Sequence, residues 1–235
     1  VVLAAHGKFG KLIYNDVDGD LVNLFRVISD HNSRQSLLKI LRWLPPSRRV
    51  FNDDHDKYVA AGFSFSACPD PIERARRTFY RHCFAFGGKV RCGGFAVSTN
   101  DDDRIKEVAR YRNNLRKMVR VGNLFRDVLI ENLHYQELLQ AYGQKEHICF
   151  YVDPPYHGTE DCYSRTFGSG DHTFLAHQLE AMPAPVVCSY YDTPLIRSLY
   201  PESRWNWQSI AATKNCCLTR GNKVVTNEFV ITKKS

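Results

Sequence analysis

The residues best suited to chemistry begin at Asp153. The stretch HICFYVDPPYHGTED, His147 to Asp161, is an apolar run that ends on an acid, two prolines and a tyrosine. Proline has no backbone N–H and cannot continue a central ladder, so Asp153, Pro154, Pro155 and Tyr156 must leave the sheet at its carboxyl edge, with carbonyls free and one ring presented. That edge is where open α/β sheets place their ligands. A second acid, Asp16, closes the apolar run KLIYND and precedes a tight VDGDL turn. In nucleotide-binding α/β folds an acid in that position accepts hydrogen bonds from ribose hydroxyls, about 20 residues beyond a glycine-rich loop. Counting back about 20 residues from Asp16 lands just before Val1, so the chain is expected to begin after its own glycine loop. Asp16 as a plain helix cap is the competing reading, although Asp18 and Asp20 could serve equally well; on local grounds the two stand even.

The elements that must position these groups follow from periodicity. KLIYND reads as a strand, GDLVNLFRVI as a helix with Leu21, Leu24, Phe25 and Ile28 on one face, and SRQSLLKILRWL as a second helix that stops before Pro45 and Pro46. From about Ser47 to Ala109 the character changes: FGGKVRCGGFAVSTNDDD is glycine-rich, ends in three acids, and has a loop composition with aromatics set into it. Helical spacing returns from Arg104 to Val119. Then DVLIEN reads as strand, YQELLQAY as helix, HICFYV as strand, DHTFLAHQLEAM as helix with Asp171 as N-cap, and APVVCSYY as a buried strand. The tail, WNWQSIAAT and VVTNEFVITKK about a glycine turn, reads as paired antiparallel strands. The layout is an α/β sheet interrupted by a basic lobe.

With 235 residues and 43% apolar content, the chain can bury one substantial core, or one core and a smaller lobe. It has neither an apolar run of about 18 residues nor the pattern of a secretory signal, which makes a reducing cytoplasm the default. Eight cysteines are scattered without a C-x-x-C pair. Cys83 and Cys92 with His82 are the best zinc candidates, but free thiols are expected, and Cys149 and Cys188 lie in apolar runs as small core residues. The net charge of +7 is local: residues 72 to 126 hold 14 Lys and Arg against 5 Asp and Glu. A concentrated basic patch is the footprint of a polyphosphate partner, or else a solvated face. Within it Arg81, Lys89, Arg91, Arg110 and Arg112 flank glycines and aromatics, a composition able to approach phosphates. Phe84, Phe86 and Phe95 are expected to form a small core in the lobe.

In their order, YNDVDGDLVNLFRVI, DPIERARRTFY, FGGKVRCGGFAVS, RYRNNLRKM, IENLHYQELL, FYVDPPY and SYYDTPL resemble the N6-adenine DNA methyltransferases of the phage and Dam-like type, through nearly the whole chain. The resemblance implies a Rossmann-like α/β fold that uses S-adenosyl-L-methionine, with a mixed sheet and an inserted, mainly helical target-recognition lobe. Residues 1–46 and 127–235 would form the catalytic domain and 47–126 the lobe. D-P-P-Y is the family's catalytic motif. Its implied chemistry has Asp153 Oδ and the Pro154 carbonyl each accept an N–H of adenine's exocyclic amine, freeing the lone pair for the sulfonium methyl. Pro155 stiffens the turn and Tyr156 stacks on the flipped base, with no metal required.

Further implications concern the cofactor and DNA. Asp16 matches the acid that holds the cofactor's ribose, His134 stands beside the cofactor's adenine where the family commonly has an acid, and Asp153 completes the cofactor-facing set. Arg112, inside the matched RYRNN, is the leading DNA contact. The family's F-x-G-x-G loop is not in this sequence, so the chain is expected to be a fragment or a truncated homologue. The implied partner is double-stranded DNA, with neither membrane nor obligatory protein partner. Two rivals remain: N4-cytosine methylation, whose enzymes more often have serine in place of Asp153, and a non-catalytic DNA-binding relic.

Overall fold

The structure, a computed structural model, describes residues 5, 7–86, 93–98, 105–158, 167–213 and 225–234. The chain divides into two compact units, Val1–His134 and Tyr135–Ser235. It is a mixed α/β protein, as its periodicity predicts.

In the first unit, β1 (Leu12–Asn15) and β2 (Val128–Glu131) pair in parallel, Leu12 opposite Val128 and Asn15 opposite Glu131. Between them run α1 (Gly19–Ser29), α2 (His31–Trp43), α3 (Arg48–Ala60), α4 (Pro71–Phe84) and α5 (Lys106–Phe125). Short polar side chains start these helices by accepting otherwise orphaned N–H groups. Asp18 caps α1, Asp30 caps α2, Ser47 caps α3, and Asp70 caps α4 just before Pro71. One apolar core joins Leu24, Val27 and Ile28 of α1, Leu37, Leu38 and Leu41 of α2, Phe51 of α3, Phe79, Tyr80 and Phe84 of α4, and Tyr111 and Met118 of α5.

Helices α3 and α4 occupy part of the stretch whose composition suggested loop. Their buried faces carry charge, which hides the helical pattern. Asp54 of α3 is buried and accepts both Nη groups of Arg76, at 2.8 and 2.7 Å, while Arg76 also bonds Glu73 one turn earlier. Asp20 of α1 is likewise buried and accepts from Arg74 Nε at 2.6 Å, from Phe65 N and from the Ser64 hydroxyl. It ties the loop after α3 back to α1. Removing one member of such a pair leaves an uncompensated buried charge, at a cost of about 3–5 kcal/mol.

In the second unit, β3 (Phe150–Val152), β4 (Val186–Tyr191), β5 (Trp205–Thr213) and β6 (Val225–Lys233) form a sheet in the order β3-β4-β6-β5. β3 and β4 are parallel, and β6 lies antiparallel to both β4 and β5. The tail is therefore the antiparallel pair its sequence predicts. Helices α6 (Tyr135–Tyr142), α7 (Ser169–Ala181) and α8 (Pro194–Leu199) complete the unit. Leu175, Leu179, Val186, Cys188, Tyr190, Ile196, Tyr200, Trp205 and Ile231 fill its core.

Two local expectations need correction. The strand expected at His147 begins at Phe150, whose N–H bonds the Pro185 carbonyl, so Cys149 is exposed rather than buried, whereas Cys188 is fully buried. Asp171 is not the N-cap of α7: that residue is Gly168, and Asp171 sits one turn inside, accepting the Gly168 N–H at 2.9 Å. Short α8, capped by Thr193, had no periodic signal of its own.

Gly122 marks a close helix contact in the first unit. A Cβ there would run into the Ile28 carbonyl oxygen and come within 2.6 Å of Arg34 Nη1, which itself bonds Ile28 O at 2.7 Å. Alanine would gain about 1 kcal/mol of helix propensity, but overpacking costs about 1–3 kcal/mol, and more where backbone must move. We therefore expect Gly122→Ala to lower the urea midpoint of the first unit; an unchanged or higher midpoint would show that α5 can shift freely.

Candidate active site

Two groups of predicted residues lie at strand ends, one in each unit. In the first unit, parallel β1 and β2 end together, and side-chain hydrogen bonds lock those ends. Asn15 Nδ2 donates to Leu133 O at 3.1 Å, Asn15 Oδ1 accepts from Leu133 N at 2.9 Å, and Asn132 Nδ2 donates to Asp16 O at 2.7 Å. Asp16 and His134 are thereby held at one carboxyl edge, with His134 exposed.

The cap question at Asp16 is settled by its neighbours. Asp18 accepts from Asp20 N at 2.9 Å and Leu21 N at 3.4 Å and is the N-cap of α1, while Asp20 is buried against Arg74. Asp16 instead turns one oxygen to the Asp18 N–H at 2.9 Å and the other to the Tyr14 hydroxyl at 2.8 Å. Each carboxylate oxygen has two lone-pair sites, so accepting capacity remains for a diol. Burial raises the Asp16 carboxyl above its ordinary 3.8, outweighing the lowering by those two hydrogen bonds. The same burial, with the charges of Asp16 and Asp18, keeps the Tyr14 phenol protonated far above its usual range.

In the second unit, β3 stops at Val152 and Asp153 to Tyr156 leave the sheet as the two prolines require. Asp153 is exposed, Pro154 buried, and Pro155 and Tyr156 half-buried. Ser189 of β4 donates to Asp153 Oδ1 at 3.1 Å. Neither Asp153 Oδ2 nor the Pro154 carbonyl has a hydrogen-bond partner among the described residues. The Tyr156 hydroxyl donates to Glu228 Oε1 at 2.8 Å, and its ring meets Tyr191 edge-on at 4.5 Å. Burial and the charges of Asp153 and Glu228 raise the Tyr156 phenol well beyond its ordinary value, so the ring stays neutral. Ser189 and Glu228 were not foreseen. A serine in the run VVCSYY reads as a core residue, and Glu228 lies 72 positions from Tyr156.

The predicted phosphate contacts fare unequally. Lys89 and Arg91 lie outside the described residues. Arg81 is only 1% exposed and its guanidinium rests over the rings of Phe51 at 5.3 Å and Tyr58 at 4.6 Å. A weakly hydrated planar cation can be buried against aromatics in this way, so Arg81 packs the helical core and is not placed to meet a phosphate. Arg110 is exposed but bonds the Cys83 carbonyl through Nε at 3.1 Å and through Nη2, closing the end of α4. Arg112 is exposed, on the side of α5 that also carries Arg116, Lys117 and Arg120. Phe84 and Phe95 stack in the core at 5.5 Å as expected, but Phe86 is exposed.

Cys92 of the zinc candidate lies outside the described residues. Cys83 is buried, its thiol pushed up to about 11 by burial, and burial likewise lowers the neighbouring His82 imidazole. Among the described residues no group of three or more His, Cys, Asp or Glu side chains is arranged to hold a metal ion. No described helix is long and apolar enough to cross a membrane.

No curated protein matches the chain. A family model, D12 class N6 adenine-specific DNA methyltransferase, matches residues 1–215. That match takes in both the Asp16 strand end and the D-P-P-Y turn, and the chain belongs to this family of DNA-modifying enzymes.

Proposed function

We propose that the protein transfers a methyl group from S-adenosylmethionine to the exocyclic N6 of an adenine flipped out of duplex DNA. The observation that carries this reading is the pair of acceptors at the end of β3, Asp153 Oδ2 and the Pro154 carbonyl, which no described group satisfies. An adenine amine is a poor nucleophile because its lone pair is delocalised into the ring. Two fixed acceptors, one for each N–H, draw the nitrogen toward tetrahedral geometry and free that pair. Such preorganised partners act chiefly in the transition state. The neutral Tyr156 ring offers a stacking face, which offsets the few kcal/mol of unstacking.

The cofactor, when bound, supplies an electrophilic sulfonium methyl. Asp16 is the residue that would hold its ribose, since its carboxylate keeps accepting capacity at the carboxyl edge of β1, and His134 stands at the same edge. The parallel pairing of β1 with β2 and of β3 with β4 supports a Rossmann-like arrangement; the assignment of residues 47–126 as the target-recognition lobe rests on the family resemblance. The exposed basic side of α5 supports Arg112 as a phosphate contact, with Arg116, Lys117 and Arg120 beside it.

Asp153→Ala is expected to lower the turnover number by about 100-fold or more, the scale for losing one preorganised partner, while leaving DNA binding largely intact. Mass analysis of digested product DNA decides the chemistry: N4-methylcytosine, or undiminished turnover in the variant, would overturn the assignment.

Asp16 makes a pH-dependent prediction. Only its ionised form accepts from both ribose hydroxyls, and its carboxyl titrates above the ordinary 3.8. Cofactor affinity should be full above that raised value and fall as pH drops through it, earlier than an unperturbed aspartate would allow. Calorimetric titration from neutral to mildly acidic pH should show this loss in the wild type. Asp16→Asn should bind more weakly throughout, by about 1.5–3 kcal/mol, with the pH dependence gone. An unchanged pH profile in the variant would remove Asp16 from the cofactor site.

For DNA, log affinity should fall linearly with log salt, at a slope of about −0.9 for each phosphate contact. Arg112→Ala should reduce that slope by about one contact. Lys234→Ala should change it little, because Lys234 bonds the Glu202 carbonyl in the other unit. Filter binding at several salt concentrations decides; equal changes in the two variants would make the α5 side an ordinary solvated face.

A further inference from the structure

We infer that Ser189 is a positioning residue for Asp153, holding one carboxylate oxygen so that the other faces the adenine amine. This rests on the methyl-transfer reading above for its catalytic meaning, but the geometry stands independently. Ser189 is 0% exposed, in β4 between Cys188 and Tyr190, which are also fully buried. A buried hydroxyl requires partners, and Asp153 and Tyr151 are among those of this one. Its Oγ lies 3.1 Å from Asp153 Oδ1 and 3.2 Å from the Tyr151 hydroxyl.

The proton count fixes the direction of this chain. An ionised carboxylate can only accept, so the single Ser189 proton goes to Asp153. Ser189 Oγ must then accept from Tyr151, whose phenol is raised above its ordinary value by burial, with the nearby Asp153 and Glu228 charges, against the lowering by the Ser189 contact. The order is Tyr151 O–H to Ser189 Oγ, and Ser189 O–H to Asp153 Oδ1.

Strand register explains why this serine meets this acid. The parallel ladder pairs Phe150 with Val186, Tyr151 with Val187 and Val152 with Cys188. Asp153 and Ser189 are the next residues on each strand, beyond the last paired position. Because Pro154 and Pro155 end the ladder there, no backbone pairing holds Asp153, and β4 supplies a side chain instead. An exposed aspartate would otherwise sample several rotamers, only some with an oxygen aimed at the amine.

The test compares side chains matched in volume but not in hydrogen bonding. Ser189→Ala removes the hydroxyl, Ser189→Thr keeps it, and Ser189→Val has the shape of threonine without it. In single-turnover methylation of a duplex oligonucleotide, Ala and Val should each slow methyl transfer about tenfold, the scale for one hydrogen bond to a charged group. The KM for DNA should stay unchanged, and Thr should remain within about threefold of wild type. Threonine as slow as valine, or alanine as fast as wild type, would overturn the inference. Crystal structures provide an arm that needs no activity: the Asp153 carboxylate should change or split its rotamer in Ser189→Ala, and an unchanged single rotamer would refute the positioning role. A wild-type chain that forms no N6-methyladenine would sink the methyl-transfer reading, while the crystallographic comparison would still decide what Ser189 does.

Discussion

Proline has no N–H to give, and two in succession end β3 after three residues. Much of the second unit's chemistry depends on that interruption. Had the strand continued, the Pro154 carbonyl would be free to join a ladder and Asp153 would be one more alternating side chain. Released from the sheet, the acid takes a contact on one oxygen from Ser189 and none on the other among the described residues, while Tyr156 is anchored by Glu228 on β6. The turn is irregular backbone supported by regular structure, as a preorganised site requires.

The first unit is held by a different constraint, the need to pair buried charge. Asp20 and Asp54 lie inside the helical cluster, and each draws an arginine of α4 inward. Arg81 joins them against aromatic rings. Of the fourteen cations of residues 72 to 126, Arg74, Arg76 and Arg81 are therefore held inward, away from a polyphosphate. Arg112, Arg116, Lys117 and Arg120 on α5 do not share this fate, since the buried positions Tyr111, Met118, Gly122 and Phe125 follow another side of that helix.

These two constraints also decide what was legible in the sequence. β1, α1, α2, α5 and the strands of the second unit bury mainly apolar side chains, and periodicity reveals them. The D-P-P-Y turn was legible because proline's effect on a ladder is local. By contrast, α3 and α4 bury Asp54, Arg76 and Arg81, and a charged residue counts against burial until its partner is known. The partner of Asp54 is 22 residues away. Ser189 was opaque for a related reason: its importance comes from register between β3 and β4, which no single stretch encodes. The N-cap of α7 was misplaced because Asp171 bonds back to Gly168 from the third helical position, a reciprocal use of the same acid.

The three tryptophans stand in unlike surroundings, which bears on how the two units can be watched. Trp43 in the first unit is 86% exposed, whereas Trp205 in the second is 1% exposed, and Trp207 donates its indole N–H to Tyr200 O beneath the Arg197 guanidinium, 3.9 Å from the ring centroid. Unfolding the first unit changes little around its tryptophan, yet melts the five helices described there. Unfolding the second moves two indoles into water. Intrinsic fluorescence therefore follows the strand-rich unit and far-ultraviolet circular dichroism mainly the helical one. Ordinary spectroscopy on the unlabelled chain can thus tell whether the two halves lose structure as one cooperative body or in succession.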